Sequence, residues 1–234
     1  MMSYFPFRLP NLACLLCHQA SPEPVCHWCE ADMPVLAPPG EGINLLYQPG
    51  IARHLSHTHY ATLRAVYRYE QPVRALIHLL KYRQRFALAE WLSTRFTRGY
   101  PDLTQARPSM LLPVPMTYRR YWQRHYNQAA ELAKTLSKHY EIPWYGQWAM
   151  RTANTSQQRL NKQARQANAG HAYRLQSDNA LWRHKPPPRV VIVDDVITTG
   201  ETVDALAGCV RQQWPATHIE VWVMAVTPAP GERR

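Results

Sequence analysis

Two adjacent carboxylates close an apolar run: Val190-Val191-Ile192-Val193 leads into Asp194-Asp195, then Val196-Ile197-Thr198-Thr199-Gly200-Glu201-Thr202. Ionised carboxylates are acceptors only, suited to vicinal hydroxyls or to a hydrated divalent cation. Downstream, the backbone N–H groups and hydroxyls from Ile197 to Thr202, with a helix N-terminus behind them, suit a phosphate. Four β-branched residues predict a buried strand. The acids then stand at its carboxyl end, where open α/β sheets bind ligands. An ordinary strand–turn–helix with Thr as N-cap is the plainer reading, but paired acids ahead of an anion cup argue against it.

A second constellation is Cys14, Cys17, Cys26 and Cys29, spaced C-x2-C-x8-C-x2-C. Two residues between cysteines let a tight knuckle aim both thiolates at one tetrahedral metal, and two facing knuckles complete a closed structural zinc site. The rival reading is two disulfides, which needs an oxidising compartment. His18 and His27 lie beside the ligands and are expected not to bind. Cys209 sits alone in an apolar helical stretch and reads as a core residue.

The elements that must position these groups alternate after residue 60. Strands are expected over Tyr60–Tyr69, Met110–Leu112, Trp144–Met150, Val190–Val193 and Ile219–Ala225. Helical spacing covers Val73–Tyr82, Phe86–Phe96, Asn127–Tyr140 and Glu201–Trp214. Ser156–Asn168 is polar, a mobile loop or an exposed helix. Alternation with apolar strands implies an α/β fold with a parallel sheet flanked by helices.

The composition is globular, 46% apolar and 18% charged, which excludes a disordered or collagen-like chain. A formal net charge of +11 suggests a polyanionic partner, or else a merely basic solvated surface. The charge is uneven. Residues 1–45 hold Arg8 against Glu23, Glu30, Asp32 and Glu41, whereas 64–124 hold twelve bases and three acids. A second basic segment spans 151–189. With a Pro/Gly-rich stretch at 34–42, this divides the chain into a small module (1–45) and a larger domain (46–234). No run approaches 18 apolar residues, so no transmembrane helix is expected. Pro6 and Pro10 break the segment where an export signal needs an apolar helix, and the chain reads as cytoplasmic. Leu12-Ala13-Cys14 faintly resembles a lipoprotein cleavage site, but no apolar region precedes it.

The run from Val190 to Thr202 resembles the phosphoribosyl-pyrophosphate (PRPP) motif of type I phosphoribosyltransferases nearly residue for residue. The resemblance implies that Asp194 and Asp195 bind the ribose hydroxyls. Ile197, Thr198, Thr199, Gly200, Glu201 and Thr202 would hold the 5′-phosphate, with Mg²⁺ accompanying the pyrophosphate. Other stretches narrow the likeness: the zinc-ribbon-like module, Leu80-Lys81-Tyr82, Leu112-Pro113-Val114-Pro115 and Arg124-His125-Tyr126-Asn127-Gln128-Ala129. Thr155-Ser156-Gln157-Gln158-Arg159-Leu160 and Arg165-Gln166-Ala167-Asn168 follow in that order. Together they resemble the competence protein F (ComF) family over nearly the whole chain. His125 stands where that family usually has Gly.

The resemblance implies that Val114 and Pro115 face pyrophosphate, often through backbone N–H groups. Arg119, Arg120 and Arg124 could supply its counter-charge, or could form a solvated face. Gln158, Arg159 and Arg165 would belong to a hood that closes over the site, or to a plain polar helix. Two functions follow: a PRPP-binding protein serving natural competence and DNA use, or a transferase moving ribose 5-phosphate to an unidentified nitrogenous acceptor. The implied partners are a phosphorylated ribose ligand, single-stranded DNA and a DNA-uptake helicase or other competence protein. Tyr118, Tyr121, Trp122 and Tyr126 could stack bases beside the cations, or could simply pack.

Overall fold

The computed structural model describes residues 13–36, 42–101, 107–116, 122, 124–151, 173–176, 185–227 and 229. Along the chain run α1 (His27–Ala31), α2 (Pro49–Ala52), β1 (Thr62–Arg68), α3 (Val73–Arg83), α4 (Ala87–Gly99) and β2 (Met110–Pro113). There follow α5 (Gln128–Tyr140), β3 (Ala149–Arg151), β4 (Tyr173–Leu175), β5 (Arg189–Ile197), α6 (Glu201–Gln213) and β6 (His218–Val226).

Four parallel strands form one sheet in the order β1-β6-β5-β2, and β3 and β4 pair antiparallel apart from it. The register aligns Leu63 with Val221, Val221 with Ile192, and Ile192 with Leu112. Successive strand residues point to opposite faces. Leu63, Val190, Ile192, Val221 and Val223 therefore meet Val203, Leu206 and Val210 of α6 on one side. Val66, Val191, Val193, Trp222 and Met224 meet Leu76, Leu80, Leu92, Phe96, Leu132 and Leu136 of α3, α4 and α5 on the other. Burial on both faces explains why these strands read as continuous apolar runs rather than alternating ones.

The α/β class, the parallel sheet with flanking helices and the N-terminal four-cysteine cluster agree with the sequence expectation. The cysteine region does not stand apart. Cys14, Val25, Cys26 and Met33 belong to the same apolar cluster as α3, α4 and α5. Backbone bonds from Leu36 to Val66 and from Arg68 to Pro34 tie it to β1. Arg95 of α4 donates to Glu30 (2.8 Å) and Glu23 (2.9 Å).

Two strand expectations change. Of Trp144–Met150, Trp144 makes a single parallel bridge to Leu111, and the regular strand begins only at Ala149. Just ahead of that strand, Trp148 is fully buried and its indole donates to the Pro113 carbonyl at 2.7 Å. β5 runs past Val193 to Ile197, because Asp194 and Val196 keep their pairing with Val223 and Ala225 of β6. The acids thus lie inside the last turns of a rigid strand, not in the loop beyond it. Among the described residues, no helix is long and apolar enough to cross a membrane.

Candidate functional site

The carboxyl ends of β1, β2 and β5 open into a cavity of about 350 Å³. Its walls bring together Asp194, Asp195, Thr198 and Thr202 with Val114, Pro115, Arg124, Asn127 and Gln128, all expected from the sequence motifs. It also includes Lys81, Tyr82, Arg151 and Tyr173, to which the sequence assigned no role. Arg119, Arg120, Gln158, Arg159, Arg165, Tyr118 and Tyr121 lie outside the described residues.

The acids are held differently from ordinary surface carboxylates. The Asp195 side chain is almost wholly buried, and the Lys81 ammonium lies 3.0 Å from its Oδ2. The Asp195 backbone N–H donates to Asp194 Oδ1 at 2.8 Å. Burial, and then the neighbouring Asp195 carboxylate, push the Asp194 carboxyl well above the usual range, with Lys81 opposing. Two carboxyls this close resist ionising together. A ligand that offers hydroxyl donors or a cation would relieve both. Lys81 was detectable in principle: it stands four residues after the buried Ile77, so it continues the apolar face of α3 with a charge.

The turn from Thr198 to Gly200 follows directly. Gly200 has φ +77, and a Cβ there would lie 2.5 Å from the Ser56 carbonyl oxygen, a distance that forces something to move. The Ser56 N–H donates to the Thr199 carbonyl at 2.7 Å, and Tyr60 Oη donates to the Ser56 carbonyl. Residues 56–60, which no motif singled out, therefore brace the turn from behind. Thr198, Thr199, Glu201 and Thr202 are exposed at the start of α6. Ile197 is different. Its side chain is in the core and its carbonyl accepts from the Thr227 N–H, so it anchors the cup rather than facing a ligand.

On the opposite wall, the turn after β2 departs from the backbone-donor expectation. The Val114 N–H donates to the Val193 carbonyl, and Pro115 has no N–H. Charge there must come from side chains. Asn127 caps α5, accepting from the Ala129 N–H and donating to the Val114 carbonyl at 3.0 Å, so one residue fixes both helix and turn. His125 adopts φ +61, the left-handed conformation that Gly takes most easily. Arg124 stacks over the Tyr82 ring at 4.7 Å and donates to Tyr82 Oη and to Gln128 Oε1. Tyr126 is buried, with its ring edge-on to Phe86 at 4.9 Å, so it packs rather than offering a face to a base.

The four cysteine sulfurs all lie within 4.8 Å of one another. Cys17 Sγ and Cys26 Sγ are 3.7 Å apart, close to the edge of a tetrahedron built on zinc–sulfur bonds of about 2.3 Å. The backbone N–H groups of Leu16 and Cys26 both donate to Cys14 Sγ. Burial disfavours its thiolate, but these and the other backbone donors win and bring the Cys14 thiol down to about 6. Burial and the neighbouring cysteines push Cys29 up to about 12. Four sulfurs so placed become thiolates together only around a cation, so the donor set fits a metal and neither histidine is needed.

No protein-family model matches the chain. It is 33% identical to the DNA utilization protein YhgH of Shigella flexneri over 167 residues, covering 68% of this chain and 69% of that protein. It is 31% identical to competence protein F of Haemophilus influenzae over 163 residues, covering 67% and 69%. To the competence protein ComFC of Bacillus subtilis it is 22% identical over 165 residues, covering 69% and 62%.

Proposed function

The chain belongs to the competence protein F (ComF) family, and from that premise we propose that it serves DNA utilisation through a cavity for PRPP or a related phosphorylated ribose. The observation that carries this reading is one cavity joining the buried Asp195 and half-buried Asp194, an exposed Thr-rich turn at a helix N-terminus, and the cations Lys81 and Arg124. Asp194 and Asp195 accept the ribose hydroxyls. The turn from Thr198 to Thr202 takes the 5′-phosphate. Lys81 and Arg124 face the pyrophosphate side, with Arg119 and Arg120 nearby in sequence. Mg²⁺, beside Asp194 and Asp195, would neutralise charge on the pyrophosphate.

A second reading, transfer of ribose 5-phosphate to a nitrogenous acceptor, draws on the same cations. They stand where a leaving pyrophosphate develops charge, and such groups stabilise it electrostatically. Release of pyrophosphate with any acceptor distinguishes the transferase from the binding protein. The residues of 1–45 form a structural Zn²⁺ module, and the domain from 46 onward carries the ligand site and the basic surface for single-stranded DNA. A DNA-uptake helicase or another competence protein is the fitting protein partner for the module.

Calorimetric titration with PRPP and Mg²⁺ tests the ligand. Saturable binding is expected, and a silent titration with both PRPP and ribose 5-phosphate would discard the reading. Metal analysis of protein purified without added zinc is expected to give about one equivalent, with chelation lowering the melting temperature. A metal-free folded protein with four reactive thiols would remove the zinc.

A further inference from the structure

We infer that the turn between α3 and α4 is a stacking ledge for single-stranded DNA at the mouth of the cavity, built from Tyr82, Arg83, Arg85, Phe86 and Arg124. It deepens the DNA arm of the proposed function and rests on it. Every residue from Tyr82 to Ala87 is exposed, and the order Tyr-Arg-Gln-Arg-Phe alternates rings with cations. Gln84 ends α3 in the left-handed region at φ +51 and turns the chain there. No acid falls between Glu70 and Glu90, so the turn carries uncompensated positive charge. Neither Arg83 nor Arg85 has an ion pair among the described residues.

Both rings reach solvent: Tyr82 is 56% exposed and Phe86 47%. Large exposed aromatics grouped beside cations mark a binding surface more often than chance exposure. The group is local: Arg124 lies over Tyr82, and Tyr126, next but one to Arg124, packs edge-on against Phe86. Tyr82 and Arg124 also line the cavity, so the ledge continues outward from the ligand site.

The chemistry selects the occupant. Unpaired bases expose π-faces to stack on rings, while their phosphates meet arginines. A duplex hides its base faces, leaving the rings without a partner. An acidic peptide would satisfy the arginines but would not use the two rings. The ledge therefore fits a single strand, read by stacking and charge with little sequence preference.

Anisotropy titration of the full-length protein with a labelled oligothymidylate tests this. Phe86→Leu and Tyr82→Leu are each expected to weaken binding about tenfold. Arg83→Gln combined with Arg85→Gln is expected to lower the log–log salt slope by roughly 1.4. Phe86, Arg83 and Arg85 lie outside the cavity lining, so their variants should keep the PRPP heat, and the arginine variants the wild-type melting temperature. Wild-type binding that none of the variants changes overturns the ledge. So does equal affinity for a blunt duplex, or equal competition by polyglutamate. A wild-type protein that binds no single strand overturns both the ledge and the DNA arm. Loss of strand binding in the variants of a protein that ignores PRPP supports the ledge and removes the phosphoribose reading alone.

Discussion

Opposite ends of two neighbouring strands hold buried acids in contrasting surroundings. Near the start of β6, Glu220 is 1% exposed and fully matched. It accepts from Arg64 Nε at 3.2 Å, from Arg189, and from the Trp222 indole at 3.0 Å. Burial works against its charge, yet Trp222 and the two arginines hold its carboxyl below the usual range. Near the end of β5, Asp195 pairs with Lys81, Asp194 has no ion pair among the described residues, and Asp194 is driven the other way. The first acid is matched by the protein itself and holds three segments of chain together. The second pair is matched only in part, and an open cavity lies beside it. Perturbed carboxyls in a cleft mark function, and a saturated buried ion network marks architecture.

The sharpest way to break this contrast is Glu220→Gln. Two arginines then lose their buried counter-charge, and stability should fall by about 3–5 kcal/mol in denaturant titration. A loss under about 1 kcal/mol would show that Glu220 is no more structural than a surface acid. Asp194→Asn and Asp195→Asn should behave in the opposite sense. Asp194→Asn should not lose stability, while PRPP binding weakens by about 1–3 kcal/mol per carboxylate. Unchanged PRPP affinity in the double variant would take the pair out of the site.

Gly200→Ala probes the cup rather than the acids. The left-handed backbone and the close Ser56 carbonyl should cost about 1–3 kcal/mol in stability, and phosphate-bearing ligands should weaken with it. A variant as stable as wild type, with unaltered PRPP heat, would show that residues 56–60 do not set the turn.

The two acids also differ in pH slope. Folding raises the Asp194 carboxyl, so its stabilising contribution is present at low pH and lost as pH rises from the ordinary carboxylate range toward about 8. Asp194→Asn should therefore gain on wild type over that interval. Folding lowers Glu220, so its contribution is present above the ordinary range and is lost as pH falls below it. The deficit of Glu220→Gln should narrow in acid. Parallel curves for the two variants, measured by urea unfolding at several pH values, would remove the electrostatic distinction between the two ends.

The sequence alone determined what is local or periodic. The β-branched run of β5 and the 3.6-residue periodicity of α3, α5 and α6 follow from side chains a few positions apart. So do the paired acids, the threonine turn and the cysteine knuckles. Tertiary structure decided what depends on distant residues meeting. Lys81 meets Asp195 only because α3 packs across the end of β5. Arg124, in the cavity wall, stacks on Tyr82 because the two lie side by side in the fold. Val114 loses its free N–H to Val193 because β2 pairs with β5. Glu220 reads in sequence as a polar break in an apolar strand, and only sheet register brings Arg64 and Arg189 to it. Spacing along a chain fixes chemistry within a turn or a strand. Which charges are matched, and which are left for a ligand, is set where strands and helices from separate segments come together.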